Sequence, residues 1–370
     1  MVIAGLFAGI AAGAVHAADN VGPDKKVLEE TRKKAVDFLK SSQSDDGSWT
    51  SPTIPGISAL VVTSLLNNGV PADDPSVAKG LAHLKTFIQP DGGIYYAKSG
   101  HRNYECCIAL MAFQAANAKG EYQEIIKNAD KFLRDLQWDE GENLKSSDTA
   151  YGGAGYGRNR RPDLSNTQFL IEALKAAGAK EDDPALQKAL IFVSRSQNLE
   201  SEHNTTEFAA KINDGGFYYT PAAGGSSQAG AESNGGLRSY GSMTYAGLKS
   251  MIYAGLTTKD PRAKAAFDWI QKFYTVKENP GMGQLGLYYY YHTFAKALAV
   301  MNIDTIQDAK GGKHDWRKEL VEEIASKQLA NGSFTNPAER WQEGDPNLVT
   351  AYVLMTLANC EPKPAAEASR

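Results

Sequence analysis

Three short stretches collect arginine, histidine and tyrosine around glycine: Ser99-Gly100-His101-Arg102-Asn103-Tyr104, Tyr156-Gly157-Arg158-Asn159-Arg160-Arg161 and Leu237-Arg238-Ser239-Tyr240. A guanidinium fork matches the paired oxygens of a phosphate or carboxylate. Where a helix begins just after such a stretch, its free N–H groups and dipole attract the same anion. The expectation is an anion site built from His101, Arg102, Tyr104, Arg158, Arg161, Arg238 and Tyr240. The alternative is that these arginines pair with Asp163, Glu105 or Glu172 and only fasten loops. Two titratable residues stand apart. Asp163, in Pro162-Asp163-Leu164-Ser165-Asn166-Thr167, is either an acid or a helix cap, and His292 is either a working or a packed histidine.

These residues need elements to position them, and the chain supplies a repeat. Phe38, Leu39, Gln43, Gly47 and Trp49 join a short amphipathic helix to an acidic turn, and looser copies recur towards the C-terminus. Helical segments come in pairs, an outer polar one and an inner apolar one: 25–43 with 57–68, 76–89 with 103–117, 122–137 with 164–177, 184–197 with 239–254, 261–275 with 287–301, and 315–329 with 347–358. Inner segments such as ISALVVTSLL and TAYVLMTLAN are apolar nearly all round and must be buried on every side. Six inner helices, each shielded by an outer partner, predict an all-α (α/α)6 toroid, a closed double ring of about twelve helices. Gly47, Gly93, Gly216 and Gly332 are expected to take positive φ in the connecting turns. Gln43, Gln89, Gln137, Gln197 and Gln328, near outer-helix ends, are read as structural staples for unpaired backbone groups.

Composition bounds the rest. The apolar fraction of 42% and charged fraction of 22% are those of a globular protein. A net charge of −4 argues against general nucleic-acid binding. Residues 1–17 read as a signal peptide cleaved after Val15-His16-Ala17, so export to the periplasm or medium is expected. The toroid should span 25–360, with 361–370 a disordered tail. Cys106, Cys107 and Cys360 show neither metal spacing nor a disulfide framework and read as buried thiols.

The string Phe-Leu-x3-Gln-x3-Gly-x-Trp at 38–49, with its degenerate copies, resembles the QW repeats of the terpene cyclase and protein prenyltransferase superfamily. The resemblance covers roughly 25–360 and implies an α/α toroid with a central ligand cavity at the N-terminal ends of the inner helices. Cyclases of the squalene–hopene type protonate an alkene with the middle acid of an Asp-x-Asp-Asp-Thr string. Here Asp163 and Thr167 match, whereas Ser165 stands in the donor's place and Asn166 replaces its neighbour. A serine hydroxyl is no acid for an alkene, which leaves Asp163 as the surrogate. Aligned inner helices put Gly56, Tyr104, Ser239, Tyr289 and Leu348 in the Ser165 column. Zinc prenyltransferases draw ligands from Asp-Gly-Cys and Tyr-His-Thr strings. Tyr291-His292-Thr293 reproduces the second, but Tyr240-Gly241-Ser242 stands where the first belongs. One histidine cannot hold catalytic zinc, so no metal or other cofactor is expected.

The resemblance implies a toroid that handles an isoprenoid or other amphiphile in a Tyr-lined apolar well (Tyr240, Tyr245, Tyr288, Tyr289, Tyr290, Tyr291) beneath a cationic lip. Asn166 joins the lip residues as a binding candidate. If the chain is an enzyme, a divergent class II terpene cyclase (an isomerase) ranks ahead of a zinc prenyltransferase. Two alternatives stay open. One is a non-catalytic ligand-binding or interaction toroid. The other is an exported polysaccharide-lyase-like enzyme with His292 as base, Tyr289 as acid, and Arg238 and Asn103 alongside. The partner in the leading reading is a hydrophobic small molecule, not nucleic acid, with room for a peripheral membrane contact.

Overall fold

The computed structural model describes residues 21–157 and 160–363. Among them, six inner helices form a ring: α2 (Pro55–Asn67), α4 (Arg102–Ala115), α6 (Leu164–Ala176), α9 (Gly241–Tyr253), α11 (Leu287–Val300) and α13 (Pro346–Leu357). Each packs on the next, and α13 packs back on α2, so the circle closes. The outer layer is α1 (Lys25–Ser41), α3 (Pro75–Lys85), α5 (Gln123–Arg134), α7 (Pro184–Arg195), α10 (Pro261–Lys272) and α12 (Trp316–Ser326). Two small pieces were not expected from an all-α pattern. One is the four-residue α8 (Ala209–Ile212); the other is a hairpin pairing β1 (Ile306–Gln307) with β2 (Lys313–His314). No described helix is long and apolar enough to cross a membrane.

Burial follows the sequence pattern. Outer helix α5 buries Ile126, Ala129, Phe132 and Leu133, one face at helical spacing. Inner helix α2 buries every residue from Pro55 to Leu65. Starts are set by aspartate followed by proline: Asp74, Asp183, Asp260 and Asp345 each accept a backbone N–H of the first turn, with Pro75, Pro184, Pro261 and Pro346 at the first helical position.

Two staples repeat around the ring. Gln43 Nε2 donates to the Gly47 carbonyl of its own turn at 3.0 Å and to the Ser76 carbonyl at the start of the next outer helix at 2.9 Å. Gln137 does the same to Gly152 and Ala185, and Gln197 to Gly215 and Arg262. Gln89 departs, bonding only within its own turn to Phe87 and Tyr95. The second staple runs inward. The N–H groups of Trp49, Ala154, Phe217 and Phe334 donate to the hydroxyls of Ser58, Thr167, Thr244 and Thr350, and that of Ile94 to the Cys106 thiol. Positive φ falls on Gly47, Gly92, Gly215 and Gly332. The expectation for Gly93 and Gly216 is therefore corrected by one residue. At those two positions a Cβ would instead strike Phe132 or Ser239.

Candidate functional site

A cavity of about 310 Å³ opens where the inner helices begin. All six contribute to its wall: Gly56 and Ile57 from α2, Tyr104 and Glu105 from α4, Ser165 and Phe169 from α6, Ser242 and Met243 from α9, Tyr289 from α11, and Leu348 and Tyr352 from α13. The connecting loops add His101, Tyr156, Tyr219, Tyr240, Asn279 and the segment 341–343. The aligned column is close to the observed one, with Ser242 taking the place assigned to Ser239.

The floor is aromatic. The Tyr104 ring meets Phe169 edge-on at 5.1 Å, and Tyr289 lies 6.0 Å from Tyr352. The Ser165 and Tyr289 hydroxyls are 3.0 Å apart, and those of Tyr104 and Tyr352 are 3.4 Å apart. Burial pushes the Tyr104 phenol up to about 12. These rings stay neutral, polarisable surfaces at neutral pH.

Beneath the floor the axis is charged, not greasy. Gln168 Nε2 reaches the Tyr289 hydroxyl at 3.3 Å, and its Oε1 accepts from Lys249 Nζ at 2.6 Å. Lys249 is fully buried and ion-paired with Glu172. Burial works to raise the Glu172 carboxyl, but attraction from Lys249 first, and from Lys296, overrides it and lowers it instead. His292 stacks on Tyr352 at 6.0 Å. Burial drives its pKa down to about 3, and neither ring nitrogen has a hydrogen-bond partner.

Two glutamates that the sequence reading did not select belong to the cavity lining. Glu105 accepts from the Tyr96 N–H at 2.9 Å and from the Ser99 hydroxyl at 2.6 Å. Glu343 accepts from the Tyr289 N–H at 2.9 Å and from Asn336 Nδ2 at 2.7 Å. Helix α11 has no side-chain cap of its own, and Glu343 supplies one from 54 residues away. Burial raises both carboxyls, against the opposing pull of these hydrogen bonds.

The sequence candidates divide. His101, Tyr104, Tyr240 and Tyr289 line the cavity. Arg102 instead lies over the Tyr95 ring and bonds to the Ala97 carbonyl. Arg161 is exposed and bonds to Ser226, and Arg238 is ion-paired with Glu232 on the surface. None of the three joins the lining, so among the described residues the expected cationic lip is replaced by the two buried acids. Arg158 lies outside the described residues. Asp163 sits behind the wall as the α6 cap, accepting from Asn166 N at 2.8 Å and Asn166 Nδ2 at 2.9 Å. Burial lifts its carboxyl to about 6, opposed by those bonds. Asn166 is thus occupied in holding Asp163. His292 and Asn103 are buried outside the lining, which leaves the His292, Tyr289, Arg238 and Asn103 set unassembled. Of the expected tyrosine well, Tyr245, Tyr288, Tyr290 and Tyr291 pack within the wall. Tyr290 and Tyr291 donate to the Thr275 and Val276 carbonyls.

Comparison with known proteins agrees with this architecture. Residues 50–220 match the squalene-hopene cyclase C-terminal domain family. No curated protein matches the chain in sequence. Among solved structures, the type II terpene cyclase MstE from Scytonema is similar, with a TM-score of 0.54 and 14% identity over 91% of this chain and 98% of that one. An alpha-amylase from Clostridium perfringens also has a TM-score of 0.54, with 11% identity over 90% and 98%. So does a D-mannose isomerase, with 12% identity over 91% and 97%. The chain is thus an α/α toroid, similar in sequence over residues 50–220 to the squalene-hopene cyclase C-terminal domain and in fold over nine-tenths of its length to the type II terpene cyclase MstE.

Proposed function

We propose that this toroid binds an isoprenoid-like or other amphiphilic molecule in its aromatic cavity and holds it without protonating it. The observation that carries the reading is at the α6 start. Ser165, in the donor's position, offers the cavity only a hydroxyl engaged with Tyr289, beside the rings of Tyr104, Phe169 and Tyr352. A concave, mostly apolar pocket with a few convergent polar groups is the usual form of a small-molecule site. The similar cyclase MstE has been solved with geranylgeranyl dihydroxybenzoate, its substrate, at a TM-score of 0.54, which supports a lipid-like ligand here. Asp163, buried and cap-bound, serves structure in this reading.

The test is organic extraction of the purified protein with mass spectrometry, followed by titration with geraniol and farnesol. A co-purifying lipid and a saturable response are expected. A clean extract with no saturable binding overturns the proposal, and conversion of an offered polyprene to a cyclic product overturns the non-catalytic part. Export is part of the same proposal. It rests on the apolar run at residues 1–17, which lies outside the described residues, and is checked by N-terminal sequencing of the protein recovered outside the cytoplasm.

A further inference from the structure

We infer that the group seated in the cavity mouth is a cation, an ammonium or other onium centre carried on an apolar tail. The inference rests on the proposal that the cavity holds a ligand, and adds the sign of its charge.

The ionic groups of the lining are of one sign. Glu105 and Glu343 are its carboxylates, 4% and 1% exposed, and no lysine or arginine lines the cavity among the described residues. Burial lowers the pKa of His101, with Arg160 adding to the effect, so this lining imidazole is neutral at pH 7. Neither glutamate has a described ion-pair partner within 4 Å, and both carboxyls are pushed upward by burial. Each already accepts two hydrogen bonds, Glu105 from Tyr96 N–H and the Ser99 hydroxyl and Glu343 from Tyr289 N–H and Asn336 Nδ2, which offset part of the cost of burial but bring no full positive charge. A ligand cation beside either carboxyl would supply what the fold leaves out.

The remaining surface suits the same charge. Tyr104, Tyr156, Tyr289, Tyr352 and Trp341 contribute aromatic rings to the lining. Such rings attract onium cations at close range, more strongly when water is excluded. The protein itself uses this property at the rim. Arg340, not part of the lining, stacks on Trp341 at 4.3 Å, and Arg161 lies over Tyr219 at 5.9 Å. An anionic head would meet two glutamates and no base in the described lining, while Arg340 and Arg161 at the rim are already taken up over Trp341 and Tyr219. A neutral head would leave their charge to these hydrogen bonds alone.

Calorimetric titration of the purified protein with geranyltrimethylammonium, geraniol and geranyl phosphate separates the possibilities. The onium ligand is expected to bind about ten-fold tighter than geraniol, with the phosphate weakest. Glu343→Gln and Glu105→Gln should each bring the onium affinity down towards that of geraniol. Because Glu343 also caps α11, its variant is read only after a thermal melt shows it folded; Glu105→Gln and the wild-type series decide independently. Equal affinity for all three ligands, or a preference for the phosphate, overturns the cation and leaves the binding proposal standing. No binding by any of them overturns both.

Discussion

Gln328 donates its side-chain N–H to the Thr31 carbonyl at 3.0 Å across 297 residues, while holding the Gly332 carbonyl of its own turn at the same distance. The last repeat thus grips the first with the same contact that joins the first to the second, the third to the fourth and the fourth to the fifth.

Gln328→Ala removes both bonds and leaves the carbonyls of two buried residues, Thr31 and Gly332, without these donors. A cost of about 1–3 kcal/mol is expected from urea unfolding, since each such bond contributes roughly 0.5–1.5 kcal/mol net. Gly332→Ala should cost more, because φ there is +88° and a Cβ would lie 2.4 Å from the Lys34 carbonyl oxygen. A variant as stable as the wild type at either position would remove ring closure as a source of stability.

Lys249→Met strands Glu172 in the core and should destabilise the fold by about 3–5 kcal/mol, as should Glu172→Leu. The double variant, which removes both charges, is expected to recover most of the loss. A double-mutant cycle by chemical denaturation measures this, and additive losses would contradict a compensated pair.

His292 gives an acid-side prediction. Its folded pKa, about 3, lies below the ordinary histidine value of 6.5. The unfolded chain therefore binds a proton that the native state refuses as pH falls from about 6.5 towards 3. Stability should drop across that window, by at most about 1.4 kcal/mol per pH unit from this group. His292→Leu should flatten that limb, and it removes two nitrogens that lack partners. An unchanged slope in melts between pH 4 and 6.5 would contradict the burial argument.

Asp163 tilts stability the other way. Its carboxyl is raised from 3.8 to about 6 in the folded state. The stabilisation this represents is present below pH 4 and lost as pH rises through 6. Asp163→Asn should therefore be as stable as wild type or more so at pH 7, and less stable at pH 4 by up to about 3 kcal/mol. Rotating Asn166 would let its unpartnered Oδ1 accept from the new amide. A variant that loses equally at both pH values would show that folding does not raise the Asp163 carboxyl.

The architecture was readable because each inner helix must be buried all round, and one closed ring achieves that for six at once. The site was readable in part. Counting from helix starts places Gly56, Tyr104, Ser165, Tyr289 and Leu348 on the cavity wall. The arginines were misplaced because residues of one turn point in different directions: Tyr104 and Glu105 face the axis, while Arg102 folds back over Tyr95. Glu343 was missed for another reason. It precedes α13 in a loop and reaches across to α11, outside any helix-based alignment. The charged axis had a visible signal that went unused, a single lysine in GSMTYAGLKSMIY and a single glutamate in LSNTQFLIEALKA.

The ends of the ring meet as well as its layers. Val21 and Lys363 exchange backbone hydrogen bonds, at 3.0 Å one way and 2.8 Å the other. Adjacent ends make a chain a candidate for circular permutation. Linking residue 363 to residue 21 and cutting within the exposed 145–149 stretch would keep every glutamine staple while changing the order of synthesis. Such a rearranged chain should reach the same fold, with its cavity between the same twelve helices.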